Sequence, residues 1–568
     1  MPPHTDASRR DHPGRLAGRH AARTLLLTLP LLFFLLSAPA TAQVDAPDEA
    51  RMADLMERVE AGVEARAGLI QEMVDMIFSF SELGFQEVET SRYIVSILRD
   101  HGFEVEEGIM DVPTSWWATW GSGEPVISLG SDLDGIPRAN QRPGVAYHDP
   151  LVTGAPGHGE GHNSGQAVNV AAAIALKELM EEEGIQGTIA LWPGVAEEQV
   201  ATKAWLVRDG YFDDVDAALF THVSSNLGVS WGGDRGTGLV SIEFTFHGEA
   251  AHGAQAWRGR SALDGVELMN VGWQFWREHM RPLQRSHHVI TEGGDQPNVV
   301  PSEASVWYYV REMDFEHLQG SVDAVRRMAE GAALMSDTRV EHRILGVAAP
   351  RHFNRPIAEA TWRHIEAVGL PEWSEDDQAL AMATQLEVGA DPEGLTTELD
   401  ELLGPPEEPR SGGSDDIGDI SWNVPTITLR FPSNMPGLPG HHWANAITMA
   451  TPIAHKGAVA GSRVLARTAL ELFLRPELLD EAWDYFENVQ KEDEEYVAFI
   501  TEDDPPATHL NREIMEEFRP LLEPFYYDPA RYSNYLEQLG VDYPGLRPDQ
   551  WDRIREIREA REGEAGGR

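Results

Sequence analysis

The sequence predicts an α/β fold: a mixed sheet covered by helices, with an α+β domain inserted into it. Three observations predict this. Short apolar runs at residues 125–130, 188–192 and 217–220 alternate with helical stretches at 166–179 and 201–207. Strand, helix, strand in that order argues a parallel or mixed sheet with helical cover. The texture then changes near Thr237, where residues 239–246 alternate apolar and polar side chains as a half-exposed antiparallel strand does. Finally, strand and helix texture of the first kind returns at 425–431 and 454–474, so the main domain closes around the insertion.

Residues 1–42 have the form of a secretory signal. Arg9, Arg10, Arg15, Arg19 and Arg23 precede an apolar run at 24–36, and Ala40-Thr41-Ala42 is a small-x-small cleavage site before Gln43. The run is short for a membrane span, and no cysteine follows it to carry a lipid. The expectation is a periplasmic or secreted protein with no stable membrane insertion after cleavage.

The first part of the main domain is expected over 48–236. It opens on a helical pattern from 48 to 80, with Met52, Leu55, Met56 and Val59 three to four apart. Glu89-Thr90-Ser91 opens a further helix that stops near His101-Gly102. The insertion is expected over 237–346, with a helix at 262–279, a strand within 299–310 and a helix at 322–334. The second part, 347–474, resumes helical texture at 361–368. It holds an acidic Pro/Gly-rich loop at 385–412 before the last strand and helix. Residues 475–568 form an acidic extension with a helical piece at 511–522. It is too aromatic to be wholly disordered and is expected to pack on the body or a partner.

Composition narrows the function. Of 568 residues, 45 are Lys or Arg and 93 are Asp or Glu, a net charge of −48 that argues against nucleic acid as a partner. There is no cysteine, hence no disulfide, thiolate ligand or thiol nucleophile.

Five clusters carry candidate chemistry. They are Gly157-His158-Gly159-Glu160-Gly161-His162-Asn163, Ala196-Glu197-Glu198, Thr221-His222, Ala251-His252-Gly253 and Pro439-Gly440-His441-His442-Trp443. Imidazoles and carboxylates hold divalent zinc or manganese. A spare carboxylate beside them can take a proton from water. Each cluster alone has an ordinary reading: a helix-entry turn for Glu160, a solvated acid pair for Glu197-Glu198, hydrogen-bonded or exposed histidines for the rest. Placement makes the case. Asp132 and Asp134 follow the first strand, Glu197-Glu198 the second and His222 the third, so all three converge beyond the carboxyl ends of one sheet. His252 follows a strand of the insertion and belongs to a lid, suited to stabilising an oxyanion.

These residues and their order resemble the aminoacylase–carboxypeptidase superfamily of dinuclear metallopeptidases, and within it the aminobenzoyl-glutamate utilisation protein B branch. Further stretches carry the resemblance: 207–218, 248–252, 259–264, 418–422 and His455-Lys456-Gly457. It covers about 50–475 and leaves the extension unexplained. The resemblance implies a zinc-peptidase-like catalytic domain, a dimerisation or lid domain, and two divalent ions, Zn or Mn. By it, Glu160, His162, Glu198, His222 and His441 are metal ligands and Glu197 is the general base. His252 is the lid histidine that reaches into a partner's site, making the protein a homodimer. Asn298 and Arg311 are candidates for gripping a substrate carboxylate. Two positions depart: Glu160 stands where relatives usually have cysteine, and Asn163 where they have aspartate. Asp132 occupies the place of a ligand histidine and is expected behind the ligands, with Asp134 orienting one of them. The implied activity is hydrolysis of an amide bond in N-acyl or N-aroyl amino acids or small peptides. The alternative is a non-catalytic periplasmic binding protein that kept the fold.

Overall fold

The computed structural model describes residues 47–233, 236–407 and 412–565. The expected leader, 1–42, lies outside the described residues. Among those described, no helix is long and apolar enough to cross a membrane.

Three helices come first: α1 (Glu49–Glu64), α2 (Ala67–Phe80) and α3 (Val88–Asp100). The helical pattern at 48–80 is two helices, broken at Ala65 and Arg66. Asp48 caps the first by accepting the Arg51 N–H. Both bury their apolar stripes, Met52 to Val63 and Ile70 to Phe78, in the same core.

Next come β1 (Glu104–Glu107), β2 (Trp116–Ser122), β3 (Val126–Asp132), α4 (Gly165–Glu183), β4 (Gly187–Gly194), α5 (Lys203–Arg208), β5 (Ala217–Ser224) and β6 (Gly232–Gly233). The insertion supplies β7 (Gly238–His247), α6 (Ala262–Trp276), β8 (Arg285–Glu292), β9 (Glu303–Glu312), α7 (Phe315–Ser336) and β10 (Arg339–Ala348). The chain continues through β11 (His352–Phe353), α8 (Arg355–Val368), α9 (Glu375–Glu387), α10 (Ile417–Ser421), β12 (Thr426–Pro432) and α11 (Pro452–Leu474). Its last helices are α12 (Pro476–Tyr485), α13 (Arg512–Leu522), α14 (Tyr535–Leu539) and α15 (Pro548–Ala565).

The main sheet has the order β1-β2-β4-β3-β5-β12. Strands β4, β3, β5 and β12 are parallel, and β2 joins β4 antiparallel with β1 outside it. The sheet is therefore mixed, as expected. The period of two divides its faces: Ala217 and Leu219 enter the core under α4 and α11, while Ala218 and Phe220 enter a second core shared with the insertion. Both faces are buried, which is why these strands read as continuous apolar runs.

The inserted sheet is antiparallel, order β10-β7-β9-β8. Val240, Ile242, Phe244 and Phe246 of β7 are buried on one face, matching the alternation in the sequence. Strand β8 is an edge.

The structure adds four details to this pattern. β1 has only four residues, three of them glutamate, and β2 carries Trp116, Trp117 and Trp120, so neither shows a clear apolar period. The 385–412 segment begins inside α9, whose last turn carries the acidic Glu387. His222 lies two residues before the end of β5 rather than at it. The extension packs on the body: Tyr527 N–H donates to Ser79 Oγ at 3.0 Å, Tyr535 N–H to Asp75 Oδ2 at 3.0 Å, and Ile554 is fully buried.

Candidate metal centre

Parallel strands deliver their C-terminal loops to one rim. Asp132 ends β3, Glu197 and Glu198 form a turn three residues beyond β4, and His222 projects from β5. The turn is held in an unusual shape, with Ala196 at φ +56 and Val200 at φ +49 on either side of it. Such left-handed non-glycine residues cost about 1–3 kcal/mol each and persist only where their surroundings fix them. Here Glu87 Oε1 accepts the Ala196 N–H at 2.9 Å and Asp134 Oδ2 accepts the Glu198 N–H at 3.1 Å.

The Gly-rich loop supplies Glu160 and His162. Gly161 has φ +120, and a Cβ there would lie 2.6 Å from Met449 Sδ. Glycine thus lets the loop press on the 439–449 segment that carries His441. Asn163 is buried and donates to Val74 O at 3.1 Å and Met449 O at 2.7 Å. It braces the loop, which accounts for a neutral amide where relatives usually have an acid. His158 is also buried, 3.1 Å from Ile77 O, and stands outside the cluster.

His162 is oriented for ligation. Its Nδ1 donates to the Asp134 carbonyl at 3.1 Å, with Asp134 Oδ1 at 3.4 Å, leaving Nε2 4.0 Å from Glu197 Oε2. His222 Nδ1 lies 2.9 Å from Val223 O and 3.1 Å from Arg430, and its Nε2 is 3.7 Å from Glu160 Oε1. His441 Nε2 lies 3.0 Å from Glu160 Oε2 and 3.4 Å from Glu198 Oε2. The two oxygens of Glu160 thus face different imidazoles.

Do these residues fit metal? Their electrostatics say yes. Burial, then the carboxylates of Asp132 and Asp415, push Glu197 well above the usual range. Burial, then Glu160 and Asp134, do the same to Glu198. Burial opposes ionisation of Glu160 too, but His441, His162 and His222 hold it well below. Burial also opposes charge on His162, yet Asp134, Asp132, Glu160 and Glu197 hold its pKa well above the ordinary value. Burial and Arg430 take His222 down to about 4, so its ring is neutral and ready to ligate. Acids this close repel unless a cation joins them. Among the described residues, His162 Nε2, Glu198 Oε1 and Asp132 Oδ2 are buried without any hydrogen-bond partner. Among the described residues, candidate ligand atoms gather in three groups: Asp132-His162-His222 and Glu160-His162-Glu198, which share His162, and Glu197-Asp415-Asp416. The donor set of imidazole and carboxylate suits zinc or manganese.

Asp132 is nearer the imidazoles than expected of a residue behind the ligands. Its Oδ1 accepts from Lys203 at 2.7 Å, and one of its carboxylate oxygens lies within 4.8 Å of ring nitrogens of His162 and His222. Asp134 does orient His162.

The cluster opens on a cavity of about 670 Å³. Arg311 and Tyr309 of β9 line it with Arg351, Arg430, Ser414 and Asp415. Arg311 donates to Ser414 Oγ at 2.7 Å, and Arg351 lies 3.2 Å from Asp415. His252 and Asn298 do not line it. They stand exposed together on the inserted domain, where Gly253 N–H donates to Asn298 O at 2.7 Å. His252 Nδ1 accepts the Ala254 N–H at 3.0 Å, so a neutral ring carries its proton on Nε2 and presents a free donor.

Lys203 is a functional neighbour that the sequence pattern does not reveal. It is fully buried, ion-paired with Asp132 and Asp416, and 3.9 Å from Asp415. Burial opposes its charge, but these three acids hold its pKa well above the ordinary value. Two signals pointed there: Lys203 is one of only four lysines, and Asp415-Asp416 sits in a Gly-Gly-Ser loop as Glu197-Glu198 sits in its turn.

Fold and site together define a metal-dependent hydrolase of the amidohydrolase and peptidase class. The comparisons with known proteins say which family. Residues 235–334 match the family model of the peptidase dimerisation domain. A p-aminobenzoyl-glutamate hydrolase subunit from Escherichia coli is 32% identical over 457 residues, covering 76% of this chain and 94% of that protein. Xaa-Arg dipeptidase of Mus musculus is 27% identical over 383 residues, 65% of this chain and 77% of that one. A solved structure described as an aminohydrolase from methicillin resistant Staphylococcus aureus shares the fold. Its TM-score is 0.51 at 18% identity, over 74% of this chain and all of that one. The chain belongs to the M20 family of metal-dependent peptidases and amidohydrolases.

Proposed function

We propose that this chain hydrolyses the amide bond of an N-acyl or N-aroyl amino acid, of the aminobenzoyl-glutamate kind, or of a small peptide with a free carboxylate. The observation that carries the reading is Glu197, a buried carboxylate beside ligand atoms, His162 Nε2 and Glu198 Oε1, that have no other partner. The relatives named for p-aminobenzoyl-glutamate and Xaa-Arg dipeptides support the substrate class.

Glu160, His162, Glu198, His222 and His441 would hold two divalent ions, which when bound polarise a carbonyl and acidify water. Glu197 takes the proton from the attacking water and returns it to the leaving nitrogen. Arg311 and Arg351 at the cavity wall attract the substrate carboxylate. His252 supplies an Nε2–H donor to the oxyanion, and Asn298 beside it a further polar contact. An oxygen donor at Glu160 in place of a thiolate favours tolerance of manganese beside zinc.

A homodimer brings the lid tip to a partner's cavity. It is supported by the apolar groups that the insertion leaves in solvent: Val289 and Ile290 on edge strand β8, and Phe275 of α6, 72% exposed. The signal-like segment supports a periplasmic or secreted location.

The test is a panel of aminobenzoyl-glutamate, N-acyl amino acids and dipeptides, offered to the chain from Gln43 after chelation and return of zinc or manganese. Metal-dependent release of a free amino acid is expected. Two bound ions with no turnover on any member contradicts the substrate class, and no ion with no turnover favours a binding protein.

A further inference from the structure

The extension beyond residue 475 is tied to the same loops that carry the candidate ligands. Three separate contacts show this. Asn511, just before α13, donates through Nδ2 to Gln199 Oε1 at 3.1 Å and to Gly84 O at 3.0 Å. Gln199 lines the cavity and follows Glu198 directly. This is the turn flanked by left-handed Ala196 and Val200, a backbone that needs outside support.

The second contact is a strand-like bridge. Gly545 N–H donates to Gly144 O at 2.7 Å, and Ala146 N–H to Gly545 O at 3.0 Å. Gln550 Nε2 adds a bond to Ala146 O at 2.7 Å. Residues 144–146 belong to the long excursion between β3 and α4 that ends in Glu160 and His162. On its other side, Gly144 N–H donates to Ile447 O at 2.8 Å.

The third contact is apolar. Ile554, Tyr543, Leu546, Trp551 and Ile557 share a hydrophobic cluster with Met435, Leu438, Trp443 and Ile447. Those last four flank His441. His441 itself has φ +49, and Asn445 steadies its loop by donating to Pro439 O at 2.8 Å.

We propose that the C-terminal extension positions the candidate metal centre: Asn511 holds the turn of Glu197 and Glu198, and residues 543–557 hold the loops of Glu160 and His441. The proposal rests on the metal reading above. Ligands drawn from three loops must be held before the ions arrive, or binding itself has to order them. The sheet supplies that order for His222, which sits within β5. Glu160, Glu198 and His441 lie outside regular elements, and it is their loops that the extension grips. Asn511, Gly545 and Ile554 are positioning residues, because none of them reaches the ligand atoms.

The test uses the full chain, chelated and then titrated calorimetrically with zinc or manganese well below its melting temperature. Asn511→Gly removes both side-chain bonds while glycine keeps the native φ of +61 without strain. Gly545→Val places its first carbon 2.6 Å from Val145 Cγ1 and parts the bridge. Phe499→Ala is the control: it lies in the extension, is stacked on Phe315 of α7, and makes neither the Asn511 bonds nor the Gly545 bridge. Asn511→Gly and Gly545→Val are each expected to weaken binding of at least one ion by about 10-fold, the usual size for a supporting residue. Phe499→Ala is expected to lower the melting temperature and leave affinity unchanged. If Gly545→Val does not fold, Asn511→Gly alone decides. Wild-type binding of two ions that neither variant changes overturns the positioning role alone. Loss of affinity in Phe499→Ala matching its loss of stability overturns it too, since any destabilisation then acts alike. A wild-type chain that binds no ion overturns the metal reading and this proposal together.

Discussion

At the rim of the main sheet, ionisable side chains are buried and braced against one another; at the tip of the insertion, His252 and Asn298 stand in solvent. The rim gets its order from geometry. Four parallel strands end together, and Asp134, Glu87 and Lys203 hold the loops that follow. The tip is held by local backbone bonds, the pairing of His252 with Val299 and the Gly253 N–H bond to Asn298 O among them. A buried cluster of like charges is poised for ions and proton transfer. An exposed histidine with a free donor becomes useful only when a domain movement or a second copy carries it to a cavity. One chain thus holds the proposed proton-transfer group among the candidate ligands and the proposed oxyanion donor apart from them.

The sharpest way to break this contrast is at Glu197. Glu197→Gln is expected to keep its metal content and lower kcat by about 10²–10⁴-fold, the worth of a general base. Full activity in a folded, metal-loaded variant removes the rim from the chemistry. His252→Ala is next, with an expected loss of about 10²–10³-fold in kcat for a missing oxyanion donor. Mixing it with Glu197→Gln chains sharpens the point. Recovery of activity in hybrid dimers places the histidine in the partner's site, and no recovery keeps it within one chain.

Smaller effects probe the cavity wall. Arg351→Met or Arg311→Met removes a charge-assisted hydrogen bond worth about 1.5–3 kcal/mol. The expected outcome is a KM raised by about 10–100-fold with kcat nearly kept, read from initial rates on a substrate with a free carboxylate. Asn298→Ala, a neutral contact at the exposed tip, should raise KM less than 10-fold, at about 0.5–1.5 kcal/mol.

The mildest effect is one of pH. Without metal, donation of a hydrogen bond to the Glu160 carboxylate raises the pKa of His441. A raised histidine pKa stabilises the metal-free fold below its unfolded value of about 6.5, and that contribution is lost as pH rises through the folded value. Ligation needs the same ring neutral. The gain in melting temperature on adding metal should therefore be larger at about pH 8 than at about pH 6. A gain that shrinks with rising pH contradicts His441 as a ligand.

Much of the rim is legible in the sequence because strand ends impose positions: a run such as 188–192 followed at once by Glu197-Glu198 fixes where those acids stand. The insertion is legible for the same reason, since β7 alternates over an antiparallel face. What escapes are groups whose roles come from contacts distant in sequence. Lys203 opens a six-residue helix and is paired in the interior with Asp416, more than two hundred residues later. Arg351 and Arg430 meet at the cavity from separate segments. Asp132 is brought toward His222 by the pairing of β3 with β5, and toward His162 by the fold-back of the excursion between β3 and α4.

Metal stoichiometry joined to turnover tests the central claim most directly. After chelation, the full chain is titrated with zinc or manganese while release of a free amino acid is followed. The account predicts no turnover without metal and full turnover as the second ion per chain binds. Turnover that survives chelation, or saturates with fewer than two ions, contradicts it.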